Sequence, residues 1–441
     1  MKKALKLLGI IFGSMTLIIV LMFLFNLCPP DGPWPMPPWC GHKSFEPKFF
    51  ETEYDAGILN KIISVNMADT WGRNYNFMMF ENTKDNIEQS FDRASKFAVE
   101  VYVHDFHRAV YENSEENFQS LNYEIVDEIF SNDMRDESMT FEDMQKLVTI
   151  AHQKGLKIGL KHNIAFVDIG KYIGSKDIQK EVDEDHKNFN SLHSEEWIND
   201  YFDKWEKRLV EKAILAQETG FDIFSIYPNW MQPTFTGNEE LANQRKKQLI
   251  KKVKEVFNGK ISTTVDRYGF LHGNNGEEDW TKYDFYKDVD IIEFPFYNLF
   301  EEYKANDLSK EEIKQSFEIF FNDLETKANE KNINLTLMTT LFSYDDAINK
   351  GIIEYHDILN KDLKTVKSNY KHQENMLQAL FEAAQDEKYI ERVNINGYWW
   401  DDAMDPKVKV RISLAPSIRN KPAEAVAIKW AEKSAKEKLK N

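Results

Sequence analysis

Only two cysteines occur in 441 residues, Cys28 and Cys40, so any disulfide closes one short loop. Positive charge is also scarce. The 56 Lys and Arg face 73 Asp and Glu, a net charge of −17, which argues against nucleic acid as a partner because binding a phosphate backbone depends on its neutralisation by Lys and Arg. No short internal repeat is evident, which removes stacked-repeat architectures. What the chain has in quantity is apolar and aromatic surface: 42% hydrophobic residues, with 10 Trp, 18 Tyr and 31 Phe. That content excludes a disordered acidic chain and suits a large core with a lined groove.

The N-terminus carries Lys2, Lys3 and Lys6 ahead of LLGIIFGSMTLIIVLMFLFNL, an uncharged run of 21 residues ending at Leu27. About 20 apolar residues span the hydrocarbon core as a helix. Residues 5–27 are therefore expected to form a transmembrane anchor, with the lysines cytoplasmic and everything after Cys28 on the extracytoplasmic side of the cell membrane. A cleaved signal peptide and a lipoprotein signal are the rival readings. Phe25, Asn26 and Leu27 are poor cleavage residues, and Leu27 is bulky where a lipoprotein signal has a small residue.

CPPDGPWPMPPWC, residues 28–40, is dense in proline and reads as a stiff, extended stalk. In an exported chain Cys28 and Cys40 are free to pair; two unpaired thiols, one of them acylated, is the other reading. The expected division is anchor 1–27, stalk 28–55 and a barrel domain 56–441.

From Ile62 onward apolar strands alternate with amphipathic helices. The strands are IISVNM (62–67), AVEVYVH (98–104), LKIGLKH (156–162), FDIFSIY (221–227), ISTTVD (261–266), DIIEFPF (290–296), NLTLMTT (334–340) and VNINGYWW (393–400). Helical patterns follow Thr83 as an N-cap, close on Gly155, and run long before Gly220. Eight such units predict an α/β fold, the (β/α)8 or TIM barrel, in which the loops after the strands emerge at one face and carry function. The connection 267–289 shows little helical periodicity. Segments 105–138, 163–192, 267–289 and 341–366 are long enough to wall a cleft.

Several aromatics fall at or just past strand ends: Trp71, Trp230, Tyr297, Trp399 and Trp400. Flat rings there stack on sugar rings, or simply fill core, and alternation sends Trp399 and Trp400 to opposite sides. His104 and His107, with His162 and Asn163, lie at neighbouring strand ends. Their spacing matches no strong zinc signature, so neither metal nor cofactor is expected, and His162 and Asn163 read as hydrogen-bonding groups at the mouth.

The blocks WINDYFDKWEKRLVEKAILAQETGFDIFSIYPNW, VDIIEFPFYNLF, NINLTLMTTLFSY and SIRNKPAEAVAIKW, with GLKIGLKHNI before them, resemble in order and spacing the family 113 glycoside hydrolases, β-mannanase-like (β/α)8 barrels, over most of residues 60–432. The resemblance implies a polysaccharide or oligosaccharide partner. It also implies a glutamate acid/base after the fourth strand and a glutamate nucleophile after the seventh. Those positions fall at Asn229 and Thr340, and no glutamate lies in 221–237 or 332–353. An amide has no proton to give a leaving oxygen, and a threonine hydroxyl without a base is a poor nucleophile.

Other acids stand near strand ends: Asp402 and Asp401 after the eighth strand, Asp266 at the fifth, Glu293 within the sixth, with Asp69, Asp105, Asp345 and Asp346 elsewhere on that face. Each is equally readable as a turn or cap residue. Asp402, behind paired tryptophans, is the best single candidate for a general acid. Two functions follow: a diverged hydrolase using relocated carboxylates, by an inverting route if they lie ~6.5–9.5 Å apart, or a carbohydrate-binding pseudoenzyme.

Overall fold

A computed structural model describes residues 50–67, 81–112, 118–127, 139–166, 184–185, 188–189, 192–230, 233–265, 280–299, 303–351, 367–398 and 414–438, with 81–87, 229–230 and 438 described by backbone alone. Strands β1 (Ile62–Asn66), β2 (Glu100–Tyr111), β4 (Lys157–Ala165), β5 (Ile223–Trp230), β6 (Lys260–Thr264), β7 (Ile291–Phe296), β8 (Leu335–Thr339) and β9 (Ile390–Asn396) form a parallel ring that β1 closes on β2. This is the expected eight-stranded α/β barrel. A ninth strand, β3 (Tyr123–Val126), lies antiparallel on the end of β2, with Tyr111 opposite Tyr123.

Strand alternation builds two separate interiors. Outward residues such as Val65, Val103, Leu160, Phe224, Phe294, Leu337 and Val393 belong to one large buried cluster shared with the helices. Tyr102, Ile223 and Ile291 form a small apolar cluster of their own. The same period of two puts these three on the opposite strand face, inside the barrel. Gly159 makes room there: a Cβ on it would lie 2.5 Å from the Tyr102 ring.

The outer layer comprises α1 (Glu81–Ala94), α2 (Phe141–Gln153), α3 (Glu195–Thr219), α4 (Glu239–Val256), α5 (Lys310–Lys331), α6 (Tyr370–Ala384) and α7 (Pro422–Lys438). In α3, buried Trp197, Tyr201, Trp205, Leu209, Ala213 and Ala216 recur at helical spacing along one face. Each large side chain among them contributes roughly 1.5–3 kcal/mol by leaving water. Ser194 caps the helix by accepting from the Trp197 N–H, and Gly220, at φ 90°, ends it in the left-handed region. A capping box between Thr140 and Asp143 starts α2. Near the C-terminus, Glu424 accepts from the Tyr398 hydroxyl at 2.6 Å and from Arg93 Nε at 3.0 Å, fastening α7 to α1 and to the end of β9.

Two expectations are corrected. Helix α1 begins at Glu81, so Thr83 lies inside it and is not its N-cap. Strand β2 runs seven residues beyond His104, because its far end pairs with β3 as well as with β4, so the segment from Asp105 onward starts as strand. As the low helical periodicity of 267–289 led us to expect, the described residues of the connection from β6 to β7 hold only two short 3-10 turns, Trp280–Lys282 and Phe285–Asp288. No described helix is long and apolar enough to cross a membrane. Residues 5–27, Cys28 and Cys40 lie outside the described residues.

Candidate functional site

At the carboxyl ends of the strands the inward residues are amides, an imidazole and a hydroxyl. Asn66 ends β1, His104 lies on β2, Asn163 on β4 and Asn396 ends β9, while Thr340 follows β8. They bond in a continuous series. Asn163 Oδ1 lies 3.2 Å from His104 Nδ1, His104 Nε2 is 2.6 Å from Asn66 Oδ1, Asn66 Nδ2 donates to Asn396 Oδ1 at 2.6 Å, and Asn396 Nδ2 donates to Thr340 Oγ1 at 3.0 Å.

Burial, and then the nearby Lys161 ammonium, push the His104 pKa down from 6.5 to about 3, against a smaller opposing effect of Asn163, so the ring is neutral and carries one proton. Amide oxygens face both ring nitrogens, and a ring with one proton donates to only one of them, so the other amide turns its NH2 to the remaining nitrogen. Asn66, His104 and Thr340 are buried, whereas Asn163 and Asn396 are half-buried at the edge of the mouth. Among the described residues no carboxylate takes part in this series.

Beneath it lies a charged floor. Lys161 Nζ is 2.8 and 2.6 Å from the two Glu293 oxygens; Asn394 Nδ2 donates to Oε1 at 2.7 Å and Thr264 Oγ1 to Oε2 at 3.1 Å. The ammonium also sits 4.6 Å from the centre of the Tyr102 ring. Burial lowers the Lys161 pKa and Glu293 opposes that shift, so the pair is held together by mutual need. Glu293 is fully buried, with both oxygens engaged by these donors. It is a floor residue and not the mouth acid expected of it, because it stands one inward position below the strand ends.

Alternation also reassigns His162 and Asp105. Both point outward, away from the mouth: His162 packs 4.9 Å from the Phe224 ring and 6.1 Å from that of Trp205 on α3, while Asp105 Oδ2 meets Lys212 of α3 at 2.9 Å. Asn163, one residue after His162, is the one that faces in. Asp345 and Asp346 serve the turn after β8, accepting from Asn369 Nδ2 at 2.7 Å and Asn349 Nδ2 at 2.8 Å respectively. Tyr297 is half-buried just past β7. Asn229 and Trp230 end β5, their backbones in register with Asn163 and Ile164. Trp71, Trp399, Trp400, Asp69, Asp266, Asp401 and Asp402 lie outside the described residues.

Sequence reasoning missed Asn66 and Asn396. The signal was present, since each occupies the last inward position of its strand, but asparagine at a strand end reads first as a turn residue.

The family model Glycoside Hydrolase Family 113 matches residues 113–332. A solved GH113 beta-1,4-mannanase complex is similar in fold at 13% identity and a TM-score of 0.54, covering 85% of this chain and 99% of that one. The GH113 beta-mannanase from Alicyclobacillus acidocaldarius in complex with ManMIm is similar at 13% identity and a TM-score of 0.52, with 86% of this chain and 99% of that one covered. No curated protein matches the chain closely enough to count as a relative.

Proposed function

Because this chain is a glycoside hydrolase family 113-like (β/α)8 barrel, we propose that it holds neutral polysaccharide or oligosaccharide, β-mannan-like in kind, in the barrel mouth without the retaining chemistry that the resemblance implies. One observation carries this reading: among the described residues the bonded series from Asn163 to Thr340 offers amide, imidazole and hydroxyl groups and no carboxylate. Sugar hydroxyls donate and accept at once, and such groups match them, each hydrogen bond adding a net of about 0.5–1.5 kcal/mol. Retaining hydrolysis needs two carboxyls ~5–5.5 Å apart on either side of the bond. Thr340 receives a bond from Asn396, an amide that cannot take its proton.

Asn229, Trp230, Tyr297 and Trp71 are the proposed sugar contacts beside the series, with Trp399 and Trp400 as further stacking surfaces. A hydrolytic variant of the proposal assigns the acid to Asp402, with Asp401 or Asp266 opposite it. In this proposal residues 5–27 anchor the chain with the barrel outside the cell membrane, where polysaccharide is met. Titration calorimetry with neutral manno-oligosaccharides, together with a reducing-sugar assay on the same samples, tests the reading: heat of binding without new reducing ends supports it, and absence of binding refutes it.

A further inference from the structure

A second cluster lies behind the barrel wall, where β2 and β4 face α3. Asp105, His107 and His162 are buried there, and each offers one ligand atom within 4.8 Å of the others. His107 Nε2 is 3.1 Å from His162 Nδ1 and 3.9 Å from Asp105 Oδ2. Two ligands at ~2.0–2.1 Å on a tetrahedral zinc ion are separated by roughly 3.3 Å, a value these spacings bracket.

The ring orientations agree. Asp127 Oδ1 stands 3.0 Å from His107 Nδ1, and a carboxylate only accepts, so Nδ1 carries hydrogen and Nε2 is the nitrogen that faces His162 and Asp105. A carboxylate fixing the far nitrogen of a histidine is the arrangement that orients metal-bound imidazoles.

We propose that Asp105, His107 and His162 bind a divalent ion of the zinc class, which fastens β2 to β4 behind the mouth. Lys212 is its competitor. The Lys212 Nζ lies 2.9 Å from Asp105 Oδ2 and 3.1 Å from Asp127 Oδ2, so it is the counter-cation of the metal-free cluster. An incoming ion takes Asp105 from it and leaves it on Asp127. Because Asp105 and His162 immediately adjoin inward-facing His104 and Asn163, the ion also stiffens two members of the mouth series.

The test uses the full chain, stripped with chelator and titrated with Co²⁺ and Zn²⁺. One equivalent should bind, with the visible absorption of tetrahedral cobalt, and zinc should raise the unfolding temperature. Asp105→Asn and His162→Gln should each abolish the cobalt bands, and circular dichroism checks that the variants fold. Asp127→Asn should weaken binding about 10–100-fold. Lys212→Met, which removes the competing charge, should tighten it. Failure of both the natural chain and Lys212→Met to bind cobalt overturns the proposal, as does cobalt binding undiminished in Asp105→Asn.

Discussion

His104 Nε2 lies 2.6 Å from Asn66 Oδ1, joining the second barrel strand to the end of the first. Burial, and then the nearby Lys161 ammonium, keep this ring neutral by moving the His104 pKa to about 3. Buried His193 and His372 are lowered in the same way, each to about 4, mainly by burial. Since the unfolded value is 6.5, the unfolded chain takes up protons that the folded chain refuses throughout the window from 6.5 down to these values. The stability contributed is complete above pH 6.5 and declines as pH falls, by roughly 2 kcal/mol per imidazole at pH 5. The unfolding temperature should drop between pH 7.5 and pH 5, and His104→Gln should shallow the slope; a flat profile would show that these rings are not held neutral.

Thr340→Val keeps the volume of the side chain and removes the oxygen that accepts from Asn396 Nδ2 at 3.0 Å. Leaving that half-buried amide without its acceptor costs about 1–3 kcal/mol. If Thr340 is part of the sugar site, the dissociation constant for oligosaccharide rises roughly 5- to 150-fold by the same figure, as calorimetry would register. Unaltered binding in a folded variant would take Thr340 out of the site.

Glu293→Gln separates a structural from a chemical role for the floor carboxylate. It leaves the Lys161 ammonium buried without its counter-charge, a loss of about 3–5 kcal/mol. Denaturant unfolding should show a large destabilisation, and Lys161→Met combined with Glu293→Leu should recover most of it. A Glu293→Gln protein of natural stability would mean that the ion pair is not what holds the floor.

The architecture was legible in the sequence wherever the pattern was local. All eight barrel strands stand out as apolar runs, and Gly155 and Gly220 mark the ends of α2 and α3 with positive φ. The hairpin of β2 and β3 was not legible, since DFHRAVY mixes polar and apolar residues without a period of two and yet all are buried or nearly so, Asp105 through pairing with distant Lys212. The face of a strand residue is decided by one step of register. His162 and Asn163 are adjacent, and the sequence alone assigned both to the mouth when only the second is there. Glu293 looked available because its partner Lys161 is 132 residues away, and no local pattern reports such a pair.

For the N-terminal region the expected topology is an anchor with its lysines inside and the barrel outside. Protease added to intact cells should release a soluble fragment that begins near the proline-rich stalk. A fully protected barrel would contradict that orientation. Alkylation without reductant should leave Cys28 and Cys40 unlabelled if they are joined, and labelling of both would exclude the disulfide.

The hydrolytic variant of the proposal rests on Asp402. Asp402→Asn should abolish any turnover while Trp230→Ala mainly weakens binding. A retaining mechanism, by contrast, would be exposed by a mechanism-based glycosyl fluoride leaving a covalent sugar on a carboxylate, visible by mass spectrometry.

The most direct test is a proton NMR time course of a neutral manno-oligosaccharide with the full chain, in which saturation transfer reports binding and the anomeric signals report cleavage in one sample. The account predicts saturation transfer to the sugar with the anomeric signals unchanged. The absence of transfer, or the release of new reducing ends first in the retained configuration, would contradict it.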